Sequence, residues 1–503
     1  MNSQASNLYF EFERHFPQDR QKTLLTTEYG VSFTYQDAEN NSAKVANLLL
    51  DLGLERGDRV TAQVEKSPEM LWLYLGTLRA GLVFHPLNSA YTRDELAYFL
   101  DNAAPAVVIC DAANETVVSE LCTTANISRL LTLNADGSGS LMSAAASQAK
   151  TFPTVQTSAD DMACLLYSSG TTGRPKGIML SHANLIDNAQ VLAQYWGFTT
   201  DDCLLHALPV FHVHGLFVAL GCVLMRGASM RWLSRFDVNA VLQNLPHTTV
   251  MMGVPTYYTR LLAEPSFDAR SCASVRLFIS GSAPLLADTF AEFEQRTGQR
   301  ILERYGMTET GMNTSNPLDG ERRAGTVGFP LPGVELRIVG EDGQVLGCDE
   351  VGDIQVKGPN VFSGYWQMPE KTAEDFTDDG FFVTGDKGQI DSDGYVAIVG
   401  RAKDLVITGG LNVYPKEVEL IIDELPGVAE SAVIGVPHPD FGEAVTAVVV
   451  LEQGAQLSEQ DVVAAVKEHA ANFKVPKQVH FVPGLPRNTM GKVQKNVLRD
   501  RYA

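Results

Sequence analysis

Apolar runs and amphipathic stretches alternate along the first 290 residues of this 503-residue chain, and that alternation limits the fold more than any other feature. Residues 35–52 carry apolar positions at helical spacing, and Arg59–Val64 reads as a strand after the Gly57-Asp58 turn. Pro68 opens a helix that ends near Gly81, Leu82–Leu87 is strand-like, 93–102 is helical and Ala106–Cys110 is an apolar strand. The texture returns with a strand at Ala163–Tyr167, a helix from Ser181, a strand at Thr248–Met252, a helix from Pro255 and a strand at Arg276–Ser280. Strands alternating with helices predict parallel sheets covered by helices. From about 320 to 400 helices fade, and short runs such as Glu335–Val339 and Asp353–Lys357 predict a small β-rich unit. After Gly400 the order is strand, helix from Pro415, two strands, helix 459–471, strand 478–482 and a terminal helix. A chain this long exceeds one ordinary core. The expected fold class is α/β and α+β. A large N-terminal domain, residues 1–400, combines helix-covered sheets with the β-rich subdomain, a charged hinge spans 401–404, and a compact α+β domain fills 405–503.

The 39 Lys and Arg are outnumbered by 60 Asp and Glu, giving a net charge of −21. That balance disfavours nucleic acid, whose phosphates need surplus cations, and anionic membranes. A few local cations can still hold an anion in a cleft. The seven cysteines are scattered and form no CxxC pair, which predicts reduced thiols in a cytoplasmic protein. The start, residues 1–16, has no basic stretch followed by an apolar run, so no signal peptide is expected. The apolar stretch Met70–Leu87 is broken by Arg79, His85 and Pro86 and is too short for a membrane span. The Ala/Ser-rich segment 138–149 reads as a surface loop or short helix.

One local sequence carries chemistry by itself. Tyr167-Ser168-Ser169-Gly170-Thr171-Thr172-Gly173-Arg174-Pro175-Lys176-Gly177 follows an apolar strand. Glycines let backbone N–H groups approach an anion, hydroxyls add donors and lysine adds charge. Such a loop holds polyphosphate. It lacks the GxxxxGK[ST] spacing, so the usual P-loop fold is not implied.

The segment resembles the phosphate loop of the acyl-adenylate-forming enzymes, which include acyl-CoA synthetases, luciferases and peptide-synthetase adenylation domains. The resemblance continues in family order through nearly the whole chain. Leu208-Pro209-Val210-Phe211-His212 resembles the segment flanking the acyl site, and Gly281-Ser282-Ala283-Pro284 the adenine loop. Glu303-Arg304-Tyr305-Gly306-Met307-Thr308-Glu309 resembles the stretch whose Tyr lies on adenine, whose Thr meets phosphate and whose Glu holds Mg²⁺. Thr384-Gly385-Asp386 resembles the ribose loop, Gly400-Arg401-Ala402-Lys403-Asp404 the hinge, and Pro486–Lys492 the loop of the catalytic lysine. The resemblance implies ATP, Mg²⁺ and coenzyme A as cofactor and co-substrates. Lys492 would stabilise charge on the α-phosphate, with Thr308 and Glu309 beside it. Asp386 offers two acceptor oxygens to the ribose hydroxyls, and Arg401 reaches ribose or phosphate. The C-terminal domain would be mobile about Lys403, presenting Lys492 for adenylation and then Gly409, Gly410 and Leu411 to the pantetheine of coenzyme A.

Two departures from the general pattern concern the acid. The adenine loop often reads Gly-Gly-Ala-Pro, whereas Ser282 adds a hydroxyl here, and the helix after Val254-Pro255 brings Arg260 where apolar residues are usual. His214 is a further donor. With His212 and Met307 they form the expected carboxylate-substrate set. A buried distal carboxylate needs paired charge, so this set suits a dicarboxylate better than a fatty chain. It resembles the malonyl-CoA synthetases, which implies malonate first and methylmalonate second. The alternatives are a ligase for a short or medium-chain monocarboxylate and an adenylating enzyme that loads a carrier protein. A non-catalytic sensor on this fold would be expected to lose Glu309 or Lys492, and both are present. The resemblance also implies a lysine acyltransferase and a deacylase acting on Lys492.

Overall fold

The computed structural model describes residues 6–169, 175–283, 285, 287–340, 342–401, 406–413, 415–486 and 493–503. Two large sheets form the N-terminal part. In the first, the strand order is Leu130–Thr132, Val107–Cys110, Arg59–Gln63, Val83–Pro86, Met162–Ser169, Pro175–Ser181 and Gly364–Tyr365. Its first five strands run parallel, and the last two pairings are antiparallel. In the second sheet, Leu302–Met307, Leu277–Ser280, Val250–Gly253, Cys203–His206, Ser229–Trp232 and Thr23–Thr27 are parallel neighbours. Antiparallel strands finish both edges, Gly311–Ser315 with Phe329–Pro330 on one side and Ser32–Thr34 on the other. The central strands are buried on both faces, as their unbroken apolar sequences require.

Helix starts are written locally. Thr34 with Asp37, Thr92 with Glu95, Ser181 with Asn184 and Ser458 with Asp461 form reciprocal caps that satisfy orphan N–H groups. Ser67 caps the helix Pro68–Arg79, whose first residue is proline. The Ala/Ser-rich segment contains a short helix, Ser140–Ala145.

A four-stranded antiparallel sheet, Glu335–Val339, Gly352–Lys357, Phe382–Ile390 and Val396–Arg401, makes the β-rich unit. The C-terminal module packs helices Pro415–Asp423 and Glu459–His469 on a five-stranded sheet built round the hairpin Val428–His438 and Gly442–Leu451. Its core is its own, rich in Val406, Val433, Val445 and Val466. The hinge positions 402–405 lie outside the described residues. No helix among the described residues is long and apolar enough to cross a membrane.

Candidate active site

The site forms where strands of both large sheets end. Met162–Ser169 delivers Ser168 at its end, and the antiparallel partner Pro175–Ser181 returns with Lys176, which pairs in register with Ser168. Lys176 is buried, 3.6 Å from Asp375 and 4.0 Å over the Tyr365 ring. Burial lowers its pKa, while Glu309 and Asp375 act against that fall. The hydroxyl of Ser168 donates to Glu309 Oε1 at 3.4 Å. Glu309 is buried, and its carbonyl accepts from Phe362 N–H at 2.8 Å. This donor set fits Mg²⁺: one carboxylate and a hydroxyl supply hard oxygens, leaving the rest of the shell to phosphate and water. Of the expected phosphate loop, Gly170, Thr171, Thr172 and Gly173 lie outside the described residues.

Glu303–Met307 belong to the strand Leu302–Met307, and Gly311–Ser315 turns back on it. A Cβ on Gly306 would sit 2.0 Å from Gly311 O, so only glycine allows this hairpin to close. Tyr305 Oη donates to Asp386 Oδ2 at 2.5 Å, joining the expected adenine and ribose residues. Asp386 is buried, its N–H donates to Thr384 Oγ1 at 3.1 Å, and it lies opposite Arg401 in register. Neighbouring side chains alternate across the strand. Glu303 thus faces away from Arg304, with its carboxylate accepting from Leu285 N–H and its pKa raised to about 7 by burial. Ser282 and Ala283 form the turn above this strand, and Pro284 lies outside the described residues.

His212, His214 and Arg304 form a buried group beside these motifs. Lys66, fully buried, donates to His206 O at 2.8 Å and Leu208 O at 3.0 Å, fixing the segment that presents Phe211 and His212. His214 begins a turn of π-helix, His214–Ala219, which turns its ring inward. Ser282 sits at φ 70°, with its Oγ 3.3 Å from His214 Nδ1. The other ring nitrogen of His214 is buried without a partner among the described residues. Burial first, then the Arg304 charge, pulls His212 down to about 4 and His214 well below its usual range, so both are neutral imidazoles at neutral pH. Arg304 is 4% exposed. No acceptor among the described residues reaches its Nε or Nη2. Its guanidinium lies directly over Gly281, where a Cβ would be 2.3 Å from Cζ. Burial lowers its pKa to about 9, so it remains a cation at neutral pH.

Arg260 departs from expectation. It is in the last turn of helix Pro255–Leu262, its side chain is 44% exposed, and it pairs with Asp440 of the C-terminal module at 3.3 Å. The structure does not bring it to His214 and Ser282. A long side chain at the end of a short helix reaches the nearest carboxylate, and here that carboxylate lies across the domain seam. Arg304, expected beside the nucleotide, is a buried cation close to His212 and His214.

The C-terminal module closes the cleft. Gly409 and Gly410 take φ of 57° and 79°, and a Cβ on Gly410 would be 3.0 Å from Val254 Cγ1. Leu411, Phe473 and Lys474 line a cleft of about 90 Å³ with Tyr91, Ser168, His212 and Thr308. Met307 is half-buried one residue from Thr308. Of the expected pantetheine-path residues, Leu411 lines this cleft and Gly410 packs against Val254. Lys403 and Lys492 lie outside the described residues. Sequence reasoning missed Lys66, Glu95 and Lys474, whose partners are 140, 379 and 57 or more residues away and leave no local signal.

Residues 12–366 match the model of the AMP-binding enzyme family, and 417–492 match that of the AMP-binding enzyme C-terminal domain. A malonate–CoA ligase of Arabidopsis thaliana is 34% identical over 93% of this chain and 84% of its own. The crystal structure of ATP-bound MatB from Rhodopseudomonas palustris is 53% identical over 99% of both chains, with a TM-score of 0.79. A Bacillus subtilis o-succinylbenzoate CoA synthetase, MenE, bound to a product analogue, is 28% identical over 99% of both chains, with a TM-score of 0.88.

Proposed function

Because the chain belongs to the AMP-binding enzyme family, we propose that it joins malonate to coenzyme A at the cost of ATP, with methylmalonate as a second substrate. A carboxylate oxygen of malonate attacks the α-phosphorus of ATP, and pyrophosphate leaves, giving malonyl-AMP. The sulfur of coenzyme A then attacks the acyl carbon, its proton is lost to solvent, and AMP leaves. The observation that carries the acid assignment is Arg304: a buried guanidinium whose Nε and Nη2 have no acceptor among the described residues, near His214, which Ser282 contacts. An unpaired buried charge is costly, and an incoming carboxylate converts that cost into binding. Neutral His214 and the Ser282 hydroxyl add hydrogen bonds without adding charge. A monocarboxylate would leave Arg304 unpaired.

Ser168, Lys176 and Thr308 face the phosphates, Asp386 and Tyr305 the nucleoside, and Lys492 the α-phosphate in the first step. Bound Mg²⁺ supplies charge neutralisation of the phosphates, held by Glu309. Gly409, Gly410 and Leu411 line the approach of pantetheine in the second step. Switching of this enzyme by acylation of Lys492, in the cytoplasm, belongs to the same reading; a mass shift on the Lys492 peptide that tracks activity checks it.

A panel of acids with ATP and coenzyme A, read as AMP release and thioester mass, tests the proposal. Malonate should lead, and methylmalonate should follow, because one methyl changes binding by only about 1–3 kcal/mol. Acetate or a medium-chain acid in first place would remove malonate. Thioester formed only on a holo-carrier protein would remove coenzyme A.

A further inference from the structure

Lys474 ends a short turn, Asn472–Lys474, in the C-terminal module, and its ammonium is buried at the seam with the N-terminal part. It donates to Glu417 Oε1 of its own module at 2.6 Å and to Glu95 Oε1 across the seam at 2.5 Å. The lysine side chain is 4% exposed, Glu95 9% and Glu417 11%. Burial alone would lower the lysine pKa, but the carboxylates outweigh it and raise it, so Lys474 is charged. The ammonium lies 5.1 Å from the Tyr91 ring centroid. Tyr91, Lys474, Phe473 and Leu411 line the cleft that holds Thr308 and His212.

The two carboxylates are not equivalent. Glu417 travels with Lys474 wherever the module goes. Glu95 belongs to the helix Arg93–Ala103, and its other oxygen accepts from the Thr92 N–H at 2.9 Å, capping that helix. If the module turned away, Lys474 would enter water with Glu417, and Glu95 would keep its role as a cap. Neither arrangement strands a buried charge, which is the condition for a contact that can both hold and release. Nearby, Asp94 Oδ2 lies 2.6 Å from His469 Nδ1 as an exposed pair, which adds little by itself.

We infer that Lys474 is a positioning residue for acyl transfer: by bridging Glu95 and Glu417 it holds the C-terminal module where Leu411 and the Gly409-Gly410 turn face Thr308 and His212. The inference rests on the reading of the chain as a coenzyme A ligase. It assigns Lys474 no part in adenylation.

The test uses the full chain carrying Glu95→Gln, which removes the charge across the seam but leaves an oxygen to cap the helix. Single-turnover transfer from malonyl-AMP to coenzyme A should slow about 10- to 100-fold, the range expected when reacting groups are held slightly out of place. Malonate-dependent ATP–pyrophosphate exchange should stay within about twofold, because the lost contact adds nothing to that transition state. Lys474→Met should likewise slow transfer, and Lys474→Arg should regain part of the transfer rate. Equal losses in both half-reactions, or an unchanged transfer rate, would overturn the inference. A second measurement needs no coenzyme A. Hydrogen exchange at residues 469–474 should quicken in Glu95→Gln, and unchanged protection there would also overturn it. A wild-type enzyme that makes no thioester from malonate would sink the ligase reading instead, and the exchange measurement would still decide the role of Lys474.

Discussion

The pocket beneath the 281–283 turn and the seam beneath Tyr91 each bury one cation, and they treat it in opposite ways. At the seam, Lys474 meets two carboxylates within 2.6 Å. In the pocket, the Nε and Nη2 of Arg304 meet no acceptor among the described residues. A protein that needs a buried charge for its own architecture supplies the partner itself. One that leaves the partner out has kept the place for something that arrives, and the chemistry of the missing group follows from what remains: a carboxylate, fitted between a planar guanidinium and two neutral donors. In the proposed function, the comparison separates a cation that organises the protein from one that selects the substrate.

The sharpest way to break this contrast is Arg304→Met, which keeps length and removes charge. Truncating one side of a buried charge pair costs about 2–5 kcal/mol, so kcat/KM for malonate should fall by about 30- to 5,000-fold. The rate with acetate should change far less, because acetate has no distal carboxylate to strand. Competition between the two acids in one reaction, read by thioester mass, gives the ratio directly. Equal losses on both acids would make Arg304 a structural residue.

Thermal stability then supplies a contrast of sign. Arg304→Met removes an unpaired buried charge from the free enzyme, so its melting temperature should rise or hold. Lys474→Met leaves Glu417 and Glu95 facing each other, and removing one partner of a buried ion pair typically costs about 3–5 kcal/mol. Its melting temperature should therefore fall, and the fall should shrink when Glu95→Gln is added. Calorimetry without substrates makes both comparisons. A destabilised Arg304→Met would mean that the guanidinium already has a partner.

Much of this architecture can be read from the chain because its signals are local. Apolar four-residue runs such as Val107–Cys110, and caps such as Ser67 with Pro68, declare strands and helix starts within a few positions. The proposed nucleotide side rests on the same kind of signal, since glycine, hydroxyl and lysine stand together in one stretch of sequence. The hairpin Leu302–Met307 with Gly311–Ser315 was not legible as strands, because Gly306 and Gly311 interrupt any alternation and act through close backbone contact. The identity of the pocket cation was not legible either. Arg260 and Arg304 both sit among motif residues, and only the alternation along the strand Leu302–Met307 for Arg304, and the reach to Asp440 for Arg260, decide where each charge lies. Lys474 lies in a run, Asn472-Phe473-Lys474-Val475, that reads as ordinary surface until the helix cap at Glu95 meets it.

Arg260 yields the smallest expected effect and the most useful control. Its pair with Asp440 is about half exposed on both sides, and such pairs contribute at most about 1 kcal/mol. In the arrangement described here, Arg260→Ala should raise the KM for malonate by about twofold or less, a change that salt screening of the wild-type enzyme should reproduce. The pair is also one that a turn of the C-terminal module would break, since Asp440 leaves with the module and Arg260 stays. A freed Arg260 that swung inward would give the pocket a second cation during adenylation. The two cases differ in one measurement: KM for malonate against KM for acetate in the pyrophosphate-exchange reaction. A malonate-specific rise well beyond the effect of salt would place Arg260 alongside Arg304 in acid selection, whereas a small equal change on both acids would leave it as part of the seam.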